Sequence, residues 1–331
     1  MAEPDAKPRL PWRRARAGGL RILHRPELPP ELALRAIERH REHDARGRQA
    51  CEQWGPASSV SRVHLEGPAG PLDLAVKWSR WRGLRGALSD ALLGSRAARA
   101  LVGAERVRRA GVATAEPLAA AERRRFGVAR ESFLVTRFLA GAVPLPAALP
   151  ALAPARRRAL ARRLGDLLGT LHAAGLAPAD LKHSNLLVGP GEEVALVDLD
   201  SLVPRRRPSW RRRVRALGQL EAYATDLYPW LPASDRARFL RAYLEHAPAL
   251  RRRRGRLVRD VRRWVRGRLA AWSRRDRRGH HVYPLAPRGS PARDARFTRP
   301  GPPEAPGAAA GGAPDSGGQP PDRSRDPRAG G

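Results

Sequence analysis

The stretch Asp180-Leu-Lys-His-Ser-Asn185 is followed by the apolar run Leu186-Leu-Val188, a short polar connection, and Val194-Ala-Leu-Val-Asp-Leu-Asp200. The two apolar runs have the length and composition of short β-strands, and the residues between them suffice for a hairpin. Two consecutive short strands placed this way let Asp180, Asn185 and Asp198 converge on one point. Oxygen-bearing side chains so gathered suit a hard divalent cation. Upstream, Leu171-His172-Ala-Ala-Gly-Leu176 reads as the end of a helix stopped by a glycine. The local order is therefore helix, loop, strand, strand, with the polar groups at the loop and at the second strand's end.

Working outward, the next informative stretch is Leu74-Ala-Val-Lys-Trp78, an apolar run with a lysine inside it. Of 64 basic residues only Lys7, Lys77 and Lys182 are lysines. A chain so biased toward arginine keeps lysine where a compact, rotatable ammonium is needed and a planar guanidinium does not substitute. Kinase-type phosphoryl transfer needs such a set. One carboxylate orients the attacking hydroxyl, an asparagine and a second aspartate hold magnesium, and a strand lysine pairs with the nucleotide phosphates.

With these residues in view the chain resembles the atypical kinases of lipopolysaccharide core, the Kdo/WaaP type, over residues 58–244. The resemblance rests on the lysine strand Ala75-Val-Lys77, Gly94 to Ala97, Gly111-Val-Ala-Thr-Ala-Glu-Pro117 and Ser132-Phe-Leu-Val-Thr-Arg-Phe138. It continues through the Asp180–Asn185 loop, Val197-Asp-Leu-Asp-Ser201, Arg215–Leu220 and Arg238–Tyr243. It implies an α+β, two-lobed protein-kinase-like fold, with a small β-rich N-lobe, a helical C-lobe and a disordered C-terminal tail. It also implies ATP and Mg2+ as cofactors. Asp180 is then the catalytic carboxylate, and Lys182 contacts the transferred phosphate. Lys77 binds the α/β phosphates, Asn185 and Asp198 are magnesium ligands, and Asp200 assists them. Thr136 to Leu139, with Thr136 and Phe138 as markers, form the hinge beside adenine through backbone groups.

Departures from the pattern matter. Ala177-Pro-Ala179 precedes Asp180 where many kinases have His-Arg, which removes the usual anchor for a phosphorylated activation loop. The nucleotide loop carries serines instead of a glycine fingerprint, so Ser59 and Ser61 become the candidate phosphate contacts. Glu105 is the only carboxylate in the helix expected over 95–110, and hence the candidate partner of Lys77. A solvated surface glutamate is the alternative.

The organisation expected along the chain is an N-terminal extension with one helix (1–50), an N-lobe (51–140), a C-lobe (141–278) and a tail (279–331). Residues 1–30, rich in proline and arginine, read as irregular. Residues 141–154 read as a proline-rich link between lobes. Residues 78–90 form a basic, tryptophan-bearing insertion, either a head-group contact or local packing. His172 reads as structural support for the loop. Arg205 to Arg207 offer a grip on an anionic acceptor or a solvated loop. Residues 250–275 combine arginines with a stripe of Val258, Val261, Val265, Leu269 and Trp272. This is a basic amphipathic helix that either lies on an anionic membrane surface or covers the large lobe. The last 47 residues carry too few large apolar side chains to offset the entropy of ordering.

A net charge of +32 draws the chain toward polyanions, among them nucleic acid, anionic lipid and phosphorylated glycolipid. The single cysteine, Cys51, excludes an internal disulfide and a cysteine metal cluster. The N-terminal segment lacks a hydrophobic run, and no stretch spans a bilayer, so the expected place is the cytoplasm or the inner membrane's cytoplasmic face. The leading expectation is ATP-dependent phosphorylation of a sugar hydroxyl, Kdo or heptose, on an anionic lipopolysaccharide precursor. Protein Ser/Thr or a small molecule remain open as acceptors. A non-catalytic basic nucleic-acid-binding or scaffold protein is the reading from another class.

Overall fold

The computed structural model describes residues 12–80, 83, 90, 93–204 and 208–276. The expected tail at 279–331, the arginines at 205–207 and most of the insertion at 78–90 lie outside the described residues.

The small lobe is an antiparallel sheet of seven strands. They are β1 (Arg13–Ala17), β2 (Leu20–His24), β3 (Gln53–Trp54), β4 (Ser58–Gly67), β5 (Gly70–Arg80), β6 (Pro117–Arg125) and β7 (Val128–Arg137), in the spatial order β1-β2-β6-β7-β5-β4-β3. Burial alternates along β4 from Ser58 to Glu66 and along β5 from Pro71 to Lys77. Val63 and Leu65 of β4 are buried on one face with Leu72, Leu74 and Val76 of β5. That face is covered by helix α1 (Pro30–Ala45), through Ala33, Ala36 and Ile37. The opposite face is covered by helix α2 (Arg96–Arg109), whose Ala97 and Leu101 meet Ala120 and Leu134.

The N-terminal segment departs from expectation. Residues 13–24, expected to be irregular, form the β1–β2 hairpin, and β2 pairs with β6 from Arg21↔Glu122 to His24↔Ala119. The arginine-rich composition hid a period of two. Leu20 and Ile22 point into the core while Arg21 is exposed, and one apolar face is enough to dock a strand.

The large lobe is built on helix α3 (Pro154–Ala173), α4 (Trp210–Leu227), α5 (Ala233–Glu245) and α6 (Arg254–Asp276). Leu160, Leu167, Leu168 and Leu171 of α3 enter a core shared with Leu217, Leu220, Tyr243 and Leu257. Helices α3 and α5 approach closely at Gly165, where an added Cβ would lie 2.3 Å from the Phe239 carbonyl oxygen. The segment expected to be a bare link is part of this lobe. Strand β8 (Val143–Pro144) pairs with the later strand β10 (Leu186–Val188), and Leu145 and Leu149 are buried beneath it.

Helix α6 corrects the membrane reading of its apolar stripe. Val265 and Trp272 are buried against Ala222 and Tyr223 of α4, with Val261, Trp264 and Leu269 packed beside them. Trp210 Nε1 donates to Asp260 Oδ2 at 2.8 Å, which pins the helix near its start. Val261, Val265, Leu269 and Trp272 of the stripe therefore cover the large lobe, which is the second of the two readings. Trp78, at the start of the basic insertion, also packs internally, stacked on Phe133 with centroids 5.4 Å apart.

Candidate active site

The Asp180–Asn185 loop lies where the lobes meet. Strand β9 (Leu176–Pro178) leads into it, a 3-10 turn over His183–Asn185 closes it, and β10 and β11 (Val194–Leu196) form the hairpin behind it. The hairpin register pairs Leu186 with Leu196, so the chain returns to Asp198 beside Asn185, and Val197 N donates to the Asn185 carbonyl at 2.8 Å. Asn185 Nδ2 donates to the Asp180 carbonyl at 3.2 Å, which leaves the carboxamide oxygen as the atom that could hold a cation.

Asp180 is held on both oxygens. Gln219 Nε2 of α4 donates to Oδ1 at 2.8 Å, and Lys182 Nζ lies 2.6 Å from Oδ2. Gln219 also accepts from Leu181 N at 3.3 Å, so one buried carboxamide fixes both the carboxylate and the loop backbone. Asp180 and Lys182 are the open members of the site, with side chains 42% and 39% exposed. Below them His183 is buried, its Nε2 bonded to the Leu220 carbonyl at 3.0 Å and its ring stacked on Tyr228. Burial pushes the His183 imidazole down to about 4, so it is neutral and acts as a wedge under the loop. His172 is likewise neutral, pushed to about 3 by burial, and hydrogen-bonded to the Tyr243 hydroxyl.

Lys77 crosses from the small lobe. On β5 it is flanked by Val60 of β4 and Leu134 of β7, on the α2 side of the sheet. Its Nζ donates to Asp198 Oδ1 at 2.5 Å, 121 residues away in the chain. Burial opposes ionisation of Asp198, but the Lys77 charge and hydrogen bond, with Arg96 and Lys182 beyond, hold its carboxyl below the usual range. Asp198 adopts a left-handed backbone (φ 61°, ψ 62°), uncommon outside glycine, which turns its carboxylate toward the lysine. Lys77, Asp180, Lys182, Asn185 and Asp198 are thus brought together. Two ammonium groups, two carboxylates and a carboxamide fit a nucleotide's terminal phosphates and their Mg2+. Asp198 and Asn185 are the groups that would hold the ion, and Lys77 would exchange part of its bond to Asp198 for phosphate oxygens.

Other expected members fall elsewhere. Ser59 and Ser61 are fully buried on the opposite face of β4, where their hydroxyls meet the ring of His40 from α1 at 3.2 and 2.6 Å. The strand's period of two decides this. Val60 is the residue opposite Lys77, so its neighbours must point away from the cleft. Glu105 is buried as well, but it pairs with Arg25 of the N-terminal segment at 2.7 Å, not with Lys77. It lies too near the C-terminal end of α2 to reach the cleft, and it is not a solvated surface residue either. Asp200 accepts a short bond from Arg96 Nε of α2, so its carboxylate is turned to that helix.

At the hinge Thr136 is buried in β7 between β5 and β6, opposite Ala75 and Pro117. The Arg137 amide donates to Glu116 O and that of Phe138 to Asp73 O, both at 2.9 Å, so Phe138 offers no amide proton to a base. Its ring instead carries the Arg62 guanidinium, 4.3 Å from the centroid. Gln219 was missed in the sequence. A lone glutamine on an amphipathic helix has no local mark of its role, although its position on the buried face of α4 was readable from the helical period.

A solved structure described as "WaaP in complex with acyl carrier protein" aligns with a TM-score of 0.48 and 23% identity, covering 69% of this chain and 91% of that one. No curated protein matches. The family model described as "Lipopolysaccharide kinase (Kdo/WaaP) family" matches residues 85–243, a stretch that holds Asp180, Lys182, Asn185 and Asp198 and begins after Lys77. Residues 85–243, just under half of the chain, are thus similar to the lipopolysaccharide kinase (Kdo/WaaP) family.

Proposed function

We propose that the protein is a kinase that transfers the terminal phosphoryl group of ATP, with Mg2+, to a sugar hydroxyl of the lipopolysaccharide inner core, a Kdo or a heptose. The observation that carries the reading is the 2.5 Å contact of Lys77 with Asp198, beside the loop that holds Asp180 and Asn185. Asp180 accepts the hydrogen bond of the attacking hydroxyl and orients its oxygen. Gln219 keeps that carboxylate aimed, and Lys182 and Lys77 balance the charge spreading over the transferred group. Mg2+, when bound, neutralises the phosphate oxygens. The acceptor is itself anionic, in keeping with the chain's net charge of +32.

Mass spectrometry of core glycolipid from cells with and without the chain tests the acceptor. Loss of one phosphate on inner-core Kdo or heptose is the expected result. An unchanged glycolipid, with phosphorylated protein or small molecule instead, overturns it.

We place the enzyme at the cytoplasmic face of the inner membrane. No helix among the described residues is long and apolar enough to cross a membrane. With its apolar stripe turned inward, α6 presents Arg256, Arg259, Arg262, Arg263 and Arg266 outward. Each arginine near an anionic bilayer adds about 1 kcal/mol. Flotation with phosphatidylglycerol vesicles should lose binding in the Arg259→Glu, Arg263→Glu, Arg266→Glu variant, and undiminished binding removes α6 from the contact.

A further inference from the structure

Asp198, Leu199 and Asp200 are held by the small lobe at two points. On one side Lys77 of β5 takes the Asp198 carboxylate. On the other, α2 packs against the 3-10 turn that follows Asp198 (Leu199–Ser201). Arg96 Nε donates to Asp200 Oδ2, and Arg99 Nε to the Asp200 carbonyl at 3.3 Å. Arg99 is itself fixed by Asp90 Oδ1 at 3.0 Å and the Gly94 carbonyl at 2.5 Å. Gly103 allows the approach, since a Cβ there would stand 2.6 Å from the Leu199 carbonyl oxygen. The helix start is capped by the Ser95 side chain.

This arrangement reverses the charge expected of the helix. Its one carboxylate, Glu105, is spent on Arg25, and its cleft end presents arginines. The Arg96 and Asp200 side chains are only 17% and 12% exposed. A cation drawn to Asp200 would have to displace a guanidinium from a largely dry pocket and then sit beside it. The left-handed backbone at Asp198 needs its surroundings to hold it.

We infer that Asp200 is not a cation ligand and that the Arg96–Asp200 pair is a positioning device, locking α2 onto the metal-binding segment so that the Asp198 carboxylate faces Lys77. The inference rests on the reading of Asp198 as a magnesium group, and the two are tested separately. The parent enzyme is compared with Arg96→Gln, Asp200→Asn, the double variant, and Arg96→Lys as a milder change. Three quantities are measured: melting temperature, turnover, and the Mg2+ concentration giving half-maximal affinity for an ATP analogue by calorimetry.

A positioning pair gives equal losses in turnover for the two single variants. The double variant is no worse than either, Arg96→Lys recovers part of the loss, and the Mg2+ half-point stays within twofold of the parent. A tenfold rise in that half-point for Asp200→Asn, with Arg96→Gln unchanged, overturns the inference. Additive losses in the double variant also overturn it. An Asp198→Asn enzyme with an unaltered Mg2+ half-point would instead sink the reading of Asp198, whatever the other variants do.

Discussion

The Asp180–Asn185 loop and helix α2 meet the same few residues from opposite sides, yet they are fastened differently. The loop is held mainly by neutral groups: Gln219 to Asp180 and Leu181, His183 to the Leu220 carbonyl, and Asn185 to the Asp180 carbonyl. Helix α2 is held by ion pairs, Arg96–Asp200, Arg99–Asp90 and Glu105–Arg25. Neutral hydrogen bonds at a buried site fix direction without adding charge to a place where phosphate charge must be balanced. Among the ion pairs, Arg96–Asp200 joins α2 to the large lobe, while Arg99–Asp90 and Glu105–Arg25 fasten α2 within the small lobe, and removing one partner strands the other. The loop is thus fixed mostly from within the large lobe, and α2 reaches that lobe through Arg96 and Arg99.

That contrast is most sharply tested inside the loop. Asp180→Ala and Asp198→Ala should each lower turnover by about 10^3-fold, with the fold retained by circular dichroism. Turnover within a few-fold of the parent would place the chemistry elsewhere. Gln219→Leu comes next. It keeps the volume but frees Asp180 and the Leu181 amide, and should cost roughly 10- to 100-fold in turnover with little change in the KM for ATP. An effect confined to KM would break the assignment of Gln219 to the carboxylate.

The third expectation concerns pH. His40, His172 and His183 are pushed by burial to about 4, 3 and 4, below their ordinary value of 6.5. The unfolded chain takes up protons near 6.5 that the folded chain refuses. Stability is therefore fully present above that pH and falls as the pH drops below it. Each histidine should cost about 2 kcal/mol by pH 5. Melting temperatures across that window check this, and a flat profile would contradict the burial.

Smaller effects separate the small lobe's fastening from its chemistry. Glu105→Gln weakens the bond to Arg25 and should cost about 1–3 kcal/mol of stability, while turnover at a temperature well below melting stays near the parent's. A large loss of turnover would return Glu105 to the cleft. Smallest of all, Ser59→Ala removes one hydrogen bond to His40, worth about 1 kcal/mol, and should leave the KM for ATP unchanged.

How far the site was legible follows from chain distance. Asp180, Lys182, Asn185 and Asp198 lie within one helix-loop-hairpin unit, and the spacing of that unit already forces them together. Lys77 was legible from its rarity in an arginine-rich chain and its apolar strand. The serines were misplaced by one strand position, because the quoted motif did not say which parity of β4 faces the cleft. Once Lys77 is matched with Val60, the period of two answers it. The β1–β2 hairpin was missed because its buried side needs only Leu20 and Ile22 among many arginines.

By itself the sequence determined the loop, the hairpin behind it, the long helices of the large lobe, and the polar groups that this one local hairpin gathers. Each of these depends on side-chain periodicity or on contacts a few residues apart, which the chain writes directly. Tertiary structure alone decided who pairs with whom across long separations: Arg25 with Glu105, Arg96 with Asp200, Gln219 with Asp180, and the stripe of α6 with α4. With arginine abundant throughout the chain, a carboxylate has many possible partners of equal charge. Only the packing that brings one of them within reach, and dries the space around it, makes the choice.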